Sequence, residues 1–437
     1  MAQHVETLVI GGGPAGLTSA YVLAKAGRAV TVLEMDPTSV GGLVRDGFTV
    51  SSKNQEVVAL WDEILPDGFV ERSRASRLYH GRKFYAYPLK AFEALSHLGV
   101  WKAAKGAASL GWARLNPIAA PATVQQHGRN RFGESLFSTF FKTHAEKVWG
   151  MPCDAIPADG LVQPAARDET VRCPRDGAGA LWKACAQKIV AFGGEVRLGR
   201  KVDGLHYDKL ARIWTVSVAC ADGRKEIYTA ENVVSSAPLR ALMQSICPTP
   251  ISLFHAGELM YRDLITVTLT ATKTSADATI HVHDPAVKAA RVETRGAVTS
   301  LEYYCFEGDG LWVSSDQELI AQAKHEAAVM GLSVDGLGAQ VSRQRKAAPI
   351  HDEDSAEHLK MIRLDLKMGF PGLHLVGRNG LHRAGQQEHA VMTGILTAEN
   401  IVAGEILHDV WAVDADAGYT GARTAMRDVQ VIDRKAA

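Results

Sequence analysis

The reading turns on Leu8-Val9-Ile10-Gly11-Gly12-Gly13-Pro14-Ala15-Gly16-Leu17, continued by Val30-Thr31-Val32-Leu33-Glu34. Leu8, Val9 and Ile10 form a short apolar run of the kind a buried parallel strand shows. The next six residues fit G-x-G-x-x-G. Leu17, Ala20, Tyr21, Leu23 and Ala24 then recur at helical spacing, and Gly27 is placed to end that helix. Residues 29–33 read as a second buried strand with Glu34 at its carboxyl end. Each part has a physical job in binding a dinucleotide. Gly11 permits the tight turn, Gly13 lets a pyrophosphate approach the backbone, and Gly16 lets the helix pack closely on the sheet. The free amides and dipole at the helix start favour phosphate charge. Glu34 stands where a carboxylate accepts hydrogen bonds from an adenosine ribose. The alternative, a glycine-rich turn in some other βαβ unit, does not explain the terminal Glu.

The chain has 437 residues, long for one core, which suggests two closely joined domains. Lys plus Arg total 48 and Asp plus Glu total 48, so nothing global points to nucleic acid or an anionic membrane. The glycine-rich turn starts close to Met1, which leaves little room for a leader peptide and implies a cytoplasmic protein. The cysteines at 153, 173, 185, 220, 247 and 305 show no metal-ligand spacing and read as free thiols; no metal is expected. No run is long and apolar enough for a spanning helix.

Further along, Gly41-Gly42-Leu43-Val44-Arg45 is either a plain turn or a second close approach to the dinucleotide. Residues 54–65 read as a short helix and 77–88 as a hairpin turning at Gly81, with Tyr85 and Tyr87 on one face. Residues 89–115 are helical in pattern. Their Lys102, Lys105 and Arg114 fit a solvated face better than a membrane-surface stripe. A core-facing helix is expected over 132–150. Two alternating strands lead to a turn at Asp222-Gly223, and 232–238 returns as a buried strand. Residues 263–271 and 299–305 read as strands of a second sheet, and 316–330 as an amphipathic helix. A late buried strand and turn at 372–378 precedes a helix over 393–407. Nucleotide-domain signals thus recur at separated places, with alternating strands between them.

These features together closely resemble flavin-dependent oxidoreductases of the protoporphyrinogen oxidase and amine oxidase superfamily, most of all the branch near UDP-galactopyranose mutase. The resemblance rests on the amino-terminal fingerprint, Gly41-Gly42, Phe84-Tyr-Ala-Tyr-Pro-Leu89, Lys147-Val-Trp-Gly150, Pro174-Arg-Asp-Gly-Ala-Gly-Ala-Leu-Trp182 and Leu301-Glu-Tyr-Tyr-Cys-Phe-Glu-Gly-Asp309. Its most specific part is Gly377-Arg-Asn-Gly-Leu-His-Arg383 with Gln387-Glu-His389. It implies an α/β fold, α+β overall: a Rossmann-like FAD-binding domain with an interleaved substrate domain on a mixed or antiparallel sheet plus helices. The FAD domain would comprise 1–76, 173–245 and 366–412, the substrate domain 77–172 and 246–365, and 413–437 a peripheral tail.

By the same resemblance FAD would meet Gly11, Gly13, Gly16, Glu34, Gly41, Gly42 and Arg45 on its ADP side, with Pro14, Ala15 and Leu43 alongside. Val202 would meet the adenine through its backbone. Gly377, Arg378, Gln387, His389 and Met392 would lie near the flavin. A helix amino end there would stabilise negative charge on the reduced ring. Catalysis would belong largely to the cofactor. His382, His389 and Arg378 are candidates for acid–base or orienting roles, against purely structural ones. Tyr85, Tyr87, Arg291, Tyr303 and Tyr304 are candidates for the substrate side, against packing.

The implied activity is oxidation of a small organic substrate through flavin N5. The alternatives are a mutase acting on a nucleotide sugar with reduced FAD, and a non-catalytic flavin-binding protein. The last is suggested by three stretches shorter than in the family, after Val50, after Gln163 and near Arg291, and by Ala384-Gly385-Gln386 in place of the usual residues. Either the cavity is stripped or loops are missing from the chain. In the second case a Cα separation beyond about 3.8 Å should appear, first at Val50–Ser51.

Overall fold

The computed structural model describes residues 2–45, 50, 52–87, 100–160, 169–336, 338–352, 354–383, 385–414, 417–419 and 421. The chain divides into two compact units. One comprises Met1–Glu71, Arg172–Leu259 and Glu357–Ala437, the other Arg72–Val171 and Met260–Ala356.

The first unit is built on strand β1 (Gln3–Ile10), helix α1 (Pro14–Lys25) and strand β2 (Val30–Leu33). β1 lies between β2 and the strand Lys225–Ser235, parallel to both, with Val9 opposite Val32 and Val234. β1 loses exposure along its length until Leu8 and Val9 are fully buried, as a strand covered on both faces requires. The parallel part continues through β2 to Glu195–Arg197, and Leu373–Leu375 joins the other flank of Lys225–Ser235. From that long strand the sheet turns antiparallel through Ile213–Cys220 and Arg200–Asp208. Alternating burial along Ile213–Cys220 matches a strand with one face on the core. Helices α1, Gln55–Ile64, Ala178–Ala191 and Gln387–Ala403 supply most of the core, with Trp61 and Trp182 fully enclosed. The helix Gln55–Ile64 starts where the Asn54 side chain accepts from the Glu56 and Val57 amides.

The second unit carries a six-stranded sheet. Its spine is the strand Met260–Val282, antiparallel to Arg291–Cys305 on one side and partly to Ala339–Ile350. The hairpin of Phe69–His80 and Lys83–Ala86 turns at Gly81 and Arg82, both at positive φ. The helix Asp316–Val329, opened by a Ser315/Glu318 capping box, covers the face bearing Ile265, Val267, Leu301 and Tyr303. The strand Arg291–Cys305 is continuous, so no break lies near Arg291. The stretch after Gln163 and residue Ser51, the other two places where a break is expected, lie outside the described residues, as do 89–99 of the expected helix and Ala384.

Three sequence expectations are corrected. The helix expected over 132–150 is interrupted by a π turn at Phe137–Phe141, which turns Phe137 and Phe140 into the core before the helix resumes at Lys142. The last long helix begins at Gln387, six residues earlier than 393, and ends at Gly404 in the left-handed region. The start of the supposed peripheral tail belongs to the core. Val413 is 1% exposed, Ala417 is fully buried, and Asn54 Nδ2 donates to the Ala417 carbonyl at 2.7 Å. Two small apolar residues among aspartates give no periodic signal.

Candidate flavin site

The site grows from the glycine turn between β1 and α1. Gly11 adopts φ +100°, and a side chain there would meet Ser236 Oγ at 2.3 Å. A Cβ on Gly16 would lie 2.0 Å from the Gly11 carbonyl oxygen, so α1 reaches the strand only because that carbon is missing. At Gly13 nothing stands within 4 Å of the Cβ position. The backbone there borders open space at the amino end of α1, where Gly13 is the N-cap, Pro14 follows, and no side chain caps the helix. That is a cradle suited to a phosphate.

Glu34 stands at the carboxyl end of β2, as expected, but is not open to solvent. It is 6% exposed, and both oxygens are engaged. Oε2 accepts from the Gly12 amide at 2.6 Å and Oε1 from the Asp36 amide at 2.8 Å. The carboxylate ties the turn to the end of β2, and its remaining lone pairs are what a ribose would use. The Arg200 amide donates to the Glu34 carbonyl at 2.8 Å, so the strand Arg200–Asp208, which carries Val202, starts beside the residue that ends β2. The Gly41 amide donates to the Gly12 carbonyl at 2.8 Å, and a Cβ on Gly42 would lie 3.3 Å from Gly13 Cα. The glycine pair is therefore pressed against the first turn. Leu43 lies in the short helical turn that follows it.

Arg45 pairs with Asp36 and reaches Ser39 Oγ at 3.2 Å. Burial works to raise the Asp36 pKa, but hydrogen bonds from Thr38 and Arg45 outweigh it and hold the carboxyl at about 2. Asp36 escaped the sequence reading. Its only signal is Asp36-Pro-Thr-Ser39, a side chain placed to accept from amides two and three residues on.

The helix Gln387–Ala403 brings the late motif to α1. A Cβ on Gly394 would lie 2.7 Å from the Ala15 carbonyl oxygen, and one on Gly377 2.9 Å from Ala15 Cβ. The Gly377 amide donates to Thr393 Oγ1 at 2.9 Å, and Ser19 Oγ donates to the Gly394 carbonyl at 3.2 Å. Gly377, Arg378, Gln387, His389 and Met392 are thus gathered around the start of one helix beside the glycine turn. His389 is 1% exposed and Gln387 half-buried, yet His389 Nδ1 and Gln387 Nε2 have no hydrogen-bond partner. Burial, with Arg383 nearby, lowers the His389 pKa to about 4, so its imidazole is neutral at pH 7. His382 is fully buried at φ +46°. The open cradle at Gly13 and the two unpartnered polar atoms fit a dinucleotide that carries a polar ring.

The tyrosine and arginine candidates belong to the second unit. Tyr85 packs edge-on against Phe140, and Tyr87 stacks on His281 with centroids 4.2 Å apart. Burial pushes the Tyr87 phenol up to about 12. Tyr303 packs in the core, the alternative to a substrate role: it is 1% exposed and its hydroxyl donates to Glu326 Oε2 at 3.1 Å. Strand alternation with Leu301 and Cys305 already carried that signal. Tyr304 points to the opposite face, where the Arg262 guanidinium lies 4.7 Å from its ring centre. Arg291 forks onto Glu302 at 2.8 and 2.7 Å.

Residues 6–252 match the family model described as FAD dependent oxidoreductase. Among solved structures the chain resembles reduced UDP-galactopyranose mutase at 16% identity, covering 91% of this chain and 94% of that one with a TM-score of 0.76. A putative protoporphyrinogen oxidase from Exiguobacterium sp. 255-15 is 17% identical over 93% of this chain and 100% of that one, at TM-score 0.66. A redesigned putrescine oxidase double mutant is 16% identical over 92% and 100%, at 0.61. No curated protein matches. No described helix is long and apolar enough to cross a membrane. The family match spans more than half of the chain and includes the whole glycine turn: this protein belongs to the FAD-dependent oxidoreductases, with FAD as its cofactor.

Proposed function

We propose that the protein oxidises a small organic molecule, with hydride or electrons passing to flavin N5 and then to an acceptor. The observation that carries this reading is the pair of unpartnered polar atoms, Gln387 Nε2 and His389 Nδ1, at the start of a helix packed on the glycine turn. Bound FAD supplies the two-electron chemistry. The amides after Gly13 would hold the pyrophosphate, Glu34 the ribose, and the Val202 backbone the adenine. Gly41, Gly42 and Leu43 would keep the cradle narrow, and Arg45 would brace it through Asp36. His389, being neutral, would act as a hydrogen-bonding group rather than a cation. Arg378 and His382 are the other candidates for orienting or proton-handling roles, and Arg291 and Tyr304 for the substrate side.

A second reading is a mutase acting on a nucleotide sugar with reduced flavin. It is favoured by the TM-score of 0.76 to UDP-galactopyranose mutase against 0.66 and 0.61 for the two oxidases. Anaerobic addition of candidate substrates to the holoprotein separates the readings. Bleaching of the visible flavin bands supports oxidation. Turnover only after dithionite, without net electron transfer, supports the mutase. Flavin inert under both conditions across amines, tetrapyrroles and nucleotide sugars would leave a protein that merely holds FAD. Replacing His389 by Asn should slow reduction more than it weakens FAD binding; weak binding with a normal reduction rate in the bound fraction contradicts its role.

A further inference from the structure

The helix Val100–Leu115 of the second unit has two apolar faces, and only one of them is packed. On the inner side Gly106 and Ala113 are buried. The corner at Gly133 closes on the same helix, with a Gly133 Cβ position 2.6 Å from the Leu110 amide nitrogen and the Ser135 amide donating to Ser109 Oγ at 3.1 Å. On the outer side Trp101 is 89% exposed, Trp112 63% and Leu115 80%. With Lys105 and Ala108 these fall within an arc of about 80° at the helical repeat. Two tryptophans and a leucine held this far into solvent on one stripe form a patch of the kind that marks an interaction surface.

Charge indicates which surface it meets. Residues 100–133 contain Lys102, Lys105, Arg114, Arg129 and Arg131 and no Asp or Glu. Lys105, Arg114 and Arg131 are exposed. The chain as a whole is balanced, 48 cations against 48 anions, so this local excess is set against a neutral molecule. Tryptophan rings settle at the level of lipid headgroups, while lysine and arginine stems lie along apolar surface with their charges toward lipid phosphates. We propose that the outer face of Val100–Leu115 is a docking site for an anionic lipid surface. The helix lies in the interface plane with Trp101, Trp112 and Leu115 inserted, and does not span the bilayer. The exposed tryptophans on the same stripe as Lys105 distinguish this face from an ordinary solvated one.

The test uses the FAD-loaded protein and sedimentation with vesicles of equal parts phosphatidylcholine and phosphatidylglycerol. The holoprotein should sediment with them and bind pure phosphatidylcholine at least about tenfold less, with the difference shrinking as salt rises. W101A/W112A should lose about tenfold or more in binding, and Lys105→Glu a smaller factor. Both side chains are solvent-exposed, so unchanged FAD content and thermal midpoint are the expected controls. Binding to neither vesicle at low salt, or binding indifferent to W101A/W112A, overturns the proposal. So does a concentration-dependent dimer, seen by sedimentation velocity, that the same variant dissociates, since a second copy would then be what covers the stripe.

Discussion

The glycine turn of the first unit and the histidine-lined sheet of the second hold themselves together in opposite ways. In the turn the decisive contacts are backbone against backbone, made possible by absent side chains: Gly16 against Gly11, Gly42 against Gly13, Gly394 against Ala15. In the second unit buried and half-buried polar side chains satisfy the backbone. Lys147 Nζ donates to the carbonyls of Asp284 and Val287 at 2.6 and 2.5 Å. Glu326 accepts from the amides of Lys288 and Ala289 and from the Tyr303 hydroxyl. His144 and His283 stack at 4.3 Å, and His144 Nδ1 and His283 Nδ1 face the Val282 and Phe140 carbonyls. Damage to the first region therefore comes from adding atoms, and damage to the second from removing them.

The largest effect should come from Gly16→Ala. Its new carbon would sit 2.0 Å from a backbone oxygen that cannot swing away. A loss of about 5 kcal/mol or more is expected, read as failure to recover folded protein or a collapsed thermal midpoint. Gly13→Val makes the contrast sharp: its carbon enters open space, so the apoprotein should unfold near the wild-type midpoint while FAD retention is lost. Should Gly13→Val keep full flavin occupancy, the cradle lies elsewhere.

Glu326→Leu breaks the other side of the comparison. It strands the buried Ala289 amide, the part-buried Lys288 amide and the Tyr303 hydroxyl, for a loss of about 3–5 kcal/mol in urea unfolding. Glu326→Gln, which keeps one acceptor oxygen, should lose less than half of that. Equal losses in the two variants would mean that side-chain volume, not hydrogen bonding, is what Glu326 supplies.

What the sequence made legible follows the same division. The turn, α1 and β2 could be read because missing side chains leave a fixed pattern of glycines in a short span. The helices read over 54–65 and 316–330 were legible for a similar local reason, their short-range apolar spacing. Glu34 was placed correctly in the chain but its two amide partners were not, since they depend on how the turn folds back on β2. The π turn at Phe137–Phe141 has no periodic signature. His144 meets His281 and His283 across a sequence separation of more than a hundred residues, which one sequence does not encode visibly. For Tyr303 the alternation with Leu301 and Cys305 already marks the packed face.

The histidines give the pH arm. Burial, with Lys147 and Arg291 nearby, lowers His144 from the ordinary 6.5 to about 4, despite the opposing hydrogen bond to Val282. Burial and their imidazole neighbours lower His281 and His283 as well. A base whose folded pKa is depressed takes up its proton more readily when unfolded. Stability is therefore full above pH 6.5 and falls as the pH drops toward 4. The loss should approach roughly 3 kcal/mol for His144 alone. Urea midpoints taken from about pH 7 to about pH 5 should fall, and His144→Phe should flatten that slope. A slope unchanged in the variant would assign the acid sensitivity to other groups.

Glu34 is the smallest effect and the one where the two modes of construction meet, a buried carboxylate serving a turn made by missing side chains. Glutamine at this position keeps the shape but offers one acceptor oxygen, so either the Gly12 or the Asp36 amide loses its partner. The apoprotein should lose about 1–2 kcal/mol in urea unfolding. FAD should bind roughly ten- to a hundredfold more weakly, the value of a charge-assisted hydrogen bond to the ribose. The two readouts separate two roles. If Glu34 serves only the ribose, apoprotein stability stays constant and affinity alone falls. If it serves only the turn, stability falls and affinity, corrected for the folded fraction, does not. The carboxylate's geometry, with both oxygens already engaged at 2.6 and 2.8 Å and lone pairs to spare, requires both to fall.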